Sequence, residues 1–377
     1  MRPLEPLKAV GLSSDMAISS IEVAYLLTDG LDIFEKDVVL SRPYSPELRD
    51  ALFSVLGEKG QLDLSYYRSV EEQVTQAHIQ AIQDLLDTIG LQKPDVIGYE
   101  GHTVLHRPQF KISCQIGDAQ KIADVFQTQV AGRFIQSDLM AGGQGAPLYA
   151  GFYDALTRKE EKPLAVLDIG GLASVTYIGP NGELEAFVIG PGNCLINSWM
   201  HRRLGTEMDF NGEQAIKGKP DERVIQKLLK HKYFAKEPPK SADRQEFDDL
   251  LQDVEGMSVA DGSATLTLFV ARLIAQSINR FIPQPLKKII VCGGGAFNPT
   301  LMRFLRQNMP YVFFQIFSQL GWKGKSLEAQ GNAFLATRHL FGLPISFPST
   351  TGVSEPVCGG RVWLARPTEE LTTKEQK

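Results

Sequence analysis

Cysteine is scarce in this chain: four in 377 residues, Cys114, Cys194, Cys292 and Cys358, far apart and in no C-x-x-C pair. Such spacing suggests neither a zinc site nor a disulfide framework, and it fits a reducing compartment. Basic excess is missing too. With 39 Lys and Arg against 44 Asp and Glu, and a net charge of -5, nothing is left over to neutralise a phosphate backbone, so no nucleic-acid partner is expected. Every apolar run meets a charge or a Gly/Pro cluster before the ~20 residues needed to cross a bilayer, so no membrane partner is expected either. The opening, Met1-Arg-Pro-Leu-Glu-Pro-Leu-Lys8, is broken by proline and charge where a signal peptide needs an unbroken apolar core. The expected location is the cytoplasm. There is no G-x-x-x-x-G-K-[ST] and no G-x-G-x-x-G after the first strand, which excludes a Walker-type phosphate loop. Residues 368 to 377 lack apolar periodicity and read as a frayed tail.

What is present is enough apolar side chain, 43% against 22% charged, to bury a large core in two domains. Short apolar runs alternate with helical patterns, which signifies an α/β fold. Lys8 to Leu12 and Ile21 to Thr28 read as strands around a polar turn at Ser13 to Ser20, and Asp95 to Gly98 as a later strand. Ser69 to Ile89 has helical spacing of Val70, Val74, Ala81, Ile82, Leu85 and Ile89, with Gly90 as its stop. His78 falls on that stripe and is expected to be a core histidine with its hydrogen bonds made, not a ligand. Further on, Leu164 to Leu167, Ala173 to Ile178 and Lys287 to Cys292 read as strands, and Ser263 to Phe281 and Asn298 to Gln307 as helices. Lys236 to Phe247, with Pro238-Pro239 and several charges, reads as a surface loop.

Four glycine-rich turns follow strand-like runs: Gly142-Gly-Gln-Gly-Ala-Pro147, Asp168-Ile-Gly-Gly171, Gly190-Pro-Gly-Asn193 and Gly293-Gly-Gly295. Glycine turns let backbone N–H groups approach an anion, and each alone more often serves tight folding. Four in one α/β chain favour a nucleotide, with the phosphates held between two domains. Gly101-His-Thr-Val-Leu-His-Arg-Pro108 gathers two imidazoles, a hydroxyl and a guanidinium just after a strand, which suits a ligand with a carboxylate or several hydroxyls. The alternative for that segment is a helix-capping loop. Glu328 begins a helix, and its plain role there is a first-turn carboxylate favoured by the helix dipole.

These turns, in this order, resemble the anhydro-N-acetylmuramic acid kinases of the actin, Hsp70 and hexokinase superfamily. The likeness spans nearly the whole chain and includes Asp209 with Gly212, Pro238-Pro-Lys-Ser241 and Glu328-Ala329. It implies a two-domain actin-like ATPase fold with a cleft between the domains, the first from 1–130 plus 335–367 and the second from 131–334. It also implies ATP and Mg²⁺ as cofactors, an amino sugar as the small-molecule partner, and a possible homodimer. The reaction implied is phosphorylation of 1,6-anhydro-N-acetylmuramic acid with hydrolytic opening of its anhydro ring, in peptidoglycan recycling. Carried over residue by residue, the ATP contacts are Gly11, Leu12, Ser13, Ser14, Ser19, Gly170, Gly171, Gly293, Gly294, Gly295 and Asn298. The sugar contacts are Thr103, His106, Arg107, Gly190, Pro191, Gly192, Asn193 and Glu328.

The departures are specific. Where the family's first phosphate loop runs G-L-M-S-G-T-S-x-D-G-I-D, this chain has Gly11-Leu-Ser-Ser-Asp-Met-Ala-Ile-Ser-Ser-Ile-Glu22, so Asp15, Met16 and Ala17 stand where N–H and hydroxyl donors should face phosphates. The family's base aspartate precedes G-P-G-N, and Val188 occupies that position. Glu100 replaces a histidine, His102 a glutamine, Ser174 an asparagine and Asn197 an aspartate. Asp168 replaces an asparagine and gives a turn like the superfamily's magnesium-holding loop. Asp168 and Glu100 are the carboxylates that could replace the base. The rival to a working kinase, at reduced rate, is a pseudokinase that binds sugar as a regulatory module.

Overall fold

The computed structural model describes residues 4–14, 18–56, 63–323 and 327–367. Asp15, Met16, Ala17 and the tail at 368–377 lie outside them. The chain forms two units, one from 1–156, 327–347 and 353–377, the other from 157–326 and 348–352.

In the first unit the strands are β1 (Leu7–Ser14), β2 (Ser20–Thr28), β3 (Ile33–Pro43), β4 (Val96–Tyr99), β5 (His102–Arg107), β6 (Ile112–Ile116) and β7 (Val130–Gly132). A six-stranded sheet has the order Arg361–Trp363, β7, β4, β1, β2, β3, while β5 and β6 form a separate hairpin. β1, β2 and β3 run antiparallel, and β4 and β7 lie parallel to β1. Ser13 and Ser14 pair with Glu22 and Ile21 in the ladder, so β1 extends two residues into the expected turn. One sheet face is covered by the Leu64–Ile89 helix. Asp63 caps its start by accepting from Ser65 N–H, Gly90 ends it with φ 66°, and Val70, Val74, Ile82 and Leu85 are buried in the core with Val10, Leu12 and Val23. Against β1 and β4 lies the Glu328–Leu340 helix, close enough that a Cβ on Gly11 or Gly98 would stand 2.0 Å from Ala329 O or 2.1 Å from Asn332 O.

The second unit has β8 (Leu164–Ile169), β9 (Leu172–Ile178), β10 (Leu184–Pro191), β11 (Lys288–Cys292) and β12 (Phe313–Ile316), in the order β10, β9, β8, β11, β12. Here too three antiparallel strands are joined by two strands parallel to the first. The same topology therefore occurs twice, as the α/β, actin-like expectation requires, although no sequence repeat announces it. The Val259–Phe281 helix carries the longest buried stripe, starting where Ser258 Oγ accepts from Asp261 N–H. The expected surface loop at 236–247 is instead inward: Lys240, Ser241, Ala242 and Phe247 are buried, because Phe234 and Phe247 stack and draw the segment onto the core.

Candidate functional site

In the second unit the glycine turns expected to bind ligand meet at the C-terminal ends of parallel strands β8 and β11. Cys292 pairs with Asp168, so the turns that follow are side by side. Gly293 has φ +75° and no room for a side chain, since a Cβ there would lie 2.4 Å from Asp168 Oδ1. The 190–193 turn is tied to the 168–171 turn by Gly192 N–H to Gly171 O (2.9 Å) and Asn193 N–H to Gly170 O (2.9 Å). Asn193 Nδ2 donates to both Ile169 O and Gly170 O at 3.0 Å and lies 3.8 Å from the Cβ position of Gly294. The N–H groups of Gly170, Gly294 and Gly295 have no acceptor among the described residues, leaving donors where an anion would sit. Asn298 Oδ1 accepts from Leu301 N–H and caps the Pro299–Asn308 helix.

Val188 sits at the irregularity in the β9–β10 ladder, only 5% exposed. Its N–H donates to Lys240 O (2.9 Å), and Tyr233 Oη donates to its carbonyl (2.8 Å). The backbone is pinned on both sides, yet the side chain offers no proton acceptor. Lys240, 3% exposed, points its Nζ to Lys236 O (2.9 Å) over the rings of Phe281 and Tyr233, at 4.7 and 5.2 Å. Burial lowers its ammonium from 10.5 to about 8. Neither Tyr233 nor the burial of Lys240 could be read from the sequence, because partners such as Val188 and Phe281 lie 41 to 52 residues away.

In the first unit, Gly11, Leu12 and Ser13 are buried in β1, where Leu12 O accepts from Asn332 Nδ2 (2.8 Å). Ser14 closes that strand and belongs to a chain of hydrogen bonds. Its Oγ bonds His102 Nδ1 (2.7 Å) and Tyr44 Oη (2.6 Å); Tyr44 Oη bonds His78 Nε2 (2.9 Å), and His78 Nδ1 bonds Tyr99 Oη (2.9 Å). His78 is thus the core histidine expected. Burial pushes His78 down to about 3 and His102 to about 4, so both rings are neutral at pH 7, with one donor and one acceptor nitrogen each. A hydroxyl owns one proton, and Ser14 gives its own to one neighbour while accepting from the other. The five residues come from four separate stretches of chain, which is why no motif reveals them. Ser19 precedes β2, its carbonyl accepting from Tyr44 N–H (3.3 Å).

Gly101 to Pro108 is not a helix-capping loop but strand β5, paired with β6. Thr103 Oγ1 accepts from Gln115 Nε2 (3.4 Å), and His106 Nδ1 is bonded to Ser113 Oγ (3.2 Å). His106 also packs on the 142–147 turn, which Asp138 shapes by accepting from Gly145 N–H (2.6 Å). Arg107 Nε is enclosed without an acceptor. Glu100, just past β4, accepts from Phe134 N–H through Oε1 while Oε2 is enclosed and unpartnered. Glu328 opens the 328–340 helix as expected.

Among the described residues no cluster of three or more His, Cys, Asp or Glu could hold a metal, and no helix is long and apolar enough to cross a membrane. A groove of about 480 Å³ lined by 284–287 and 308–312 lies at the N-terminal ends of β11 and β12, away from the glycine turns.

Comparison with known proteins gives a match to the family model for anhydro-N-acetylmuramic acid kinase over residues 7–365. The kinase of that name from Rhodospirillum rubrum is 39% identical over 358 residues, covering 95% of this chain and 94% of its own. That from Methylobacterium nodulans is 40% identical over 373 residues, covering 94% and 99%. A solved structure, component A of (R)-2-hydroxyglutaryl-CoA dehydratase from Acidaminococcus fermentans, is similar with a TM-score of 0.44 at 12% identity, covering 88% of this chain and 97% of that one.

Proposed function

The chain belongs to the anhydro-N-acetylmuramic acid kinase family, and from that premise we infer that it uses ATP to phosphorylate 1,6-anhydro-N-acetylmuramic acid while water opens the anhydro bridge. The product is N-acetylmuramic acid 6-phosphate, made in the cytoplasm during peptidoglycan recycling. The observation that carries this reading is the near full-length match at about 40% identity.

The free N–H groups at Gly170, Gly294 and Gly295 receive nucleotide phosphate, and the bareness of Gly293 leaves Asp168 the space to hold Mg²⁺ through water. One carboxylate suffices, because magnesium keeps most of its waters and takes further oxygens from the phosphates. When bound, the ion neutralises charge developing on the transferred phosphoryl group. Asn193 holds the 190–193 turn against the 168–171 turn, so sugar and phosphate contacts keep a common register. Arg107, its guanidinium lacking an internal acceptor, takes the sugar's carboxylate. Thr103 and His106 contribute hydroxyl contacts from the same strand.

The test is ADP release with 1,6-anhydro-N-acetylmuramic acid, ATP and Mg²⁺, read alongside calorimetry of each ligand. Sugar-dependent ADP release is the expected result. Sugar binding with no ADP release under any metal condition would replace the kinase reading with that of a binding module.

A further inference from the structure

Opening an anhydro bridge with water requires that the water lose a proton as its oxygen bonds carbon. At the position where the resemblance puts the base, valine cannot accept one. The inference below rests on the functional reading just given and asks which group of this chain does so.

Asp168 is the magnesium candidate, and a carboxylate engaged with a cation is a weak base. Glu100 differs. It lies at the C-terminal end of β4, a strand parallel to both its neighbours, which is where open α/β sheets take ligands. It opens the segment that continues into Thr103, His106 and Arg107, the sugar contacts of the first unit. One oxygen is fixed by Phe134 N–H at the start of the Phe134–Met140 helix; the other is enclosed, without any hydrogen-bond partner. Part of the residue reaches solvent while Oε2 does not. A buried carboxylate oxygen left without a donor is costly, and such groups persist where a ligand supplies what the protein withholds.

We propose that Glu100 is the general base of the reaction, its unpartnered Oε2 taking the proton of the attacking water. The water oxygen bonds C1 of the sugar, the C1–O6 bond breaks, O6 bonds the γ-phosphorus, and the bond from that phosphorus to the β-bridging oxygen breaks, releasing ADP. Glu100 gives up that proton when product release lets water reach it. Burial raises its carboxyl from 4.5 to about 7, against the pull of the Phe134 and Ile135 N–H groups and of Arg133, the one charge acting on it among the described residues. A group so placed is ionised in part at neutral pH and basic enough to take a proton.

A plain helix-capping carboxylate would explain the Phe134 contact, and Glu100→Gln keeps that acceptor while removing the base. The experiment measures kcat, KM and pH profiles for the unmodified protein, Glu100→Gln and Glu100→Asp. The expected result is a kcat lower by about 10²–10⁴-fold in Glu100→Gln with sugar affinity by calorimetry within about threefold. The limb of rising kcat/KM near pH 7 should vanish with it and persist, displaced, in Glu100→Asp. Should the Gln variant fail to fold, that displacement in Glu100→Asp decides: a limb unmoved overturns the proposal. Turnover that survives Glu100→Gln with its pH limb intact overturns the proposal alone. Absence of sugar-dependent turnover in the unmodified protein overturns it together with the functional reading.

Discussion

Acid should weaken the first unit in a way that three named residues set. His78 and His102 are held neutral down to about 3 and about 4 from an ordinary 6.5, so below pH 6.5 the unfolded chain takes up two protons that the folded chain refuses. Each such proton removes about 1.4 kcal/mol of stability per pH unit, and the loss continues until pH falls through the folded values. Glu100 acts oppositely. Its carboxyl, raised from 4.5 to about 7, keeps a proton in the folded chain that the unfolded chain has released, so acidification from 7 to 4.5 favours folding by about 1.4 kcal/mol per unit. From pH 6.5 to 4.5 the balance is a net loss of about 1.4 kcal/mol per unit, or roughly 3 kcal/mol in all. His102→Gln removes one of the two histidines and should leave stability nearly level over that window. Glu100→Gln removes the opposing group and should double the slope to about 3 kcal/mol per unit. Urea midpoints by far-ultraviolet circular dichroism at half-unit intervals would measure all three. A midpoint for the unmodified protein that stays constant from 6.5 to 4.5, with both variants parallel to it, would refute the assignment of these shifts.

Two further outcomes follow from the second unit. Gly293→Ala forces a Cβ to within 2.4 Å of Asp168 Oδ1 at φ +75°, and should cost about 2 kcal/mol or more in thermal stability and abolish ATP binding by calorimetry. Lys240, lowered from 10.5 to about 8, carries a charge that the folded chain resists below that value. Stability should therefore rise from pH 8 to 9 in the unmodified protein and stay level over that range in Lys240→Met, as melting temperatures would show; parallel curves would refute it.

The strands and helices that could be read from the sequence are those whose burial leaves a run or a period: β1, β2, β4, β8, β9, β11 and the 64–89, 259–281 and 299–308 helices. Elements that escaped are short or polar, such as three-residue β7 and the β5–β6 hairpin, whose stability comes from pairing rather than from pattern. The 236–247 segment misled because its charges advertise a surface, whereas aromatic rings from residues 187, 233 and 281 enclose Lys240. At the site, the glycine turns at 168–171, 190–193 and 293–295 were legible because each follows or ends a strand, whereas the 142–147 turn, expected after a strand, follows the Phe134–Met140 helix in the first unit. That the three meet in one place was not legible, since it depends on β8 and β11 pairing across more than a hundred residues. The Ser14 to Tyr99 hydrogen-bond chain was invisible for the same reason.

The 328–340 helix rests directly on the bare backbones of Gly11 and Gly98, and this has a consequence during synthesis. More than 300 residues separate Ser14 from Glu328, so at 5–20 residues per second β1 waits roughly 15–60 s for the helix that covers it. Through that interval the second unit can fold while the first exposes a sheet face that no side chain on Gly11 or Gly98 screens. Nascent chains stalled before residue 327 should engage chaperones through their N-terminal segment, and release of the helix from the ribosome should end that engagement.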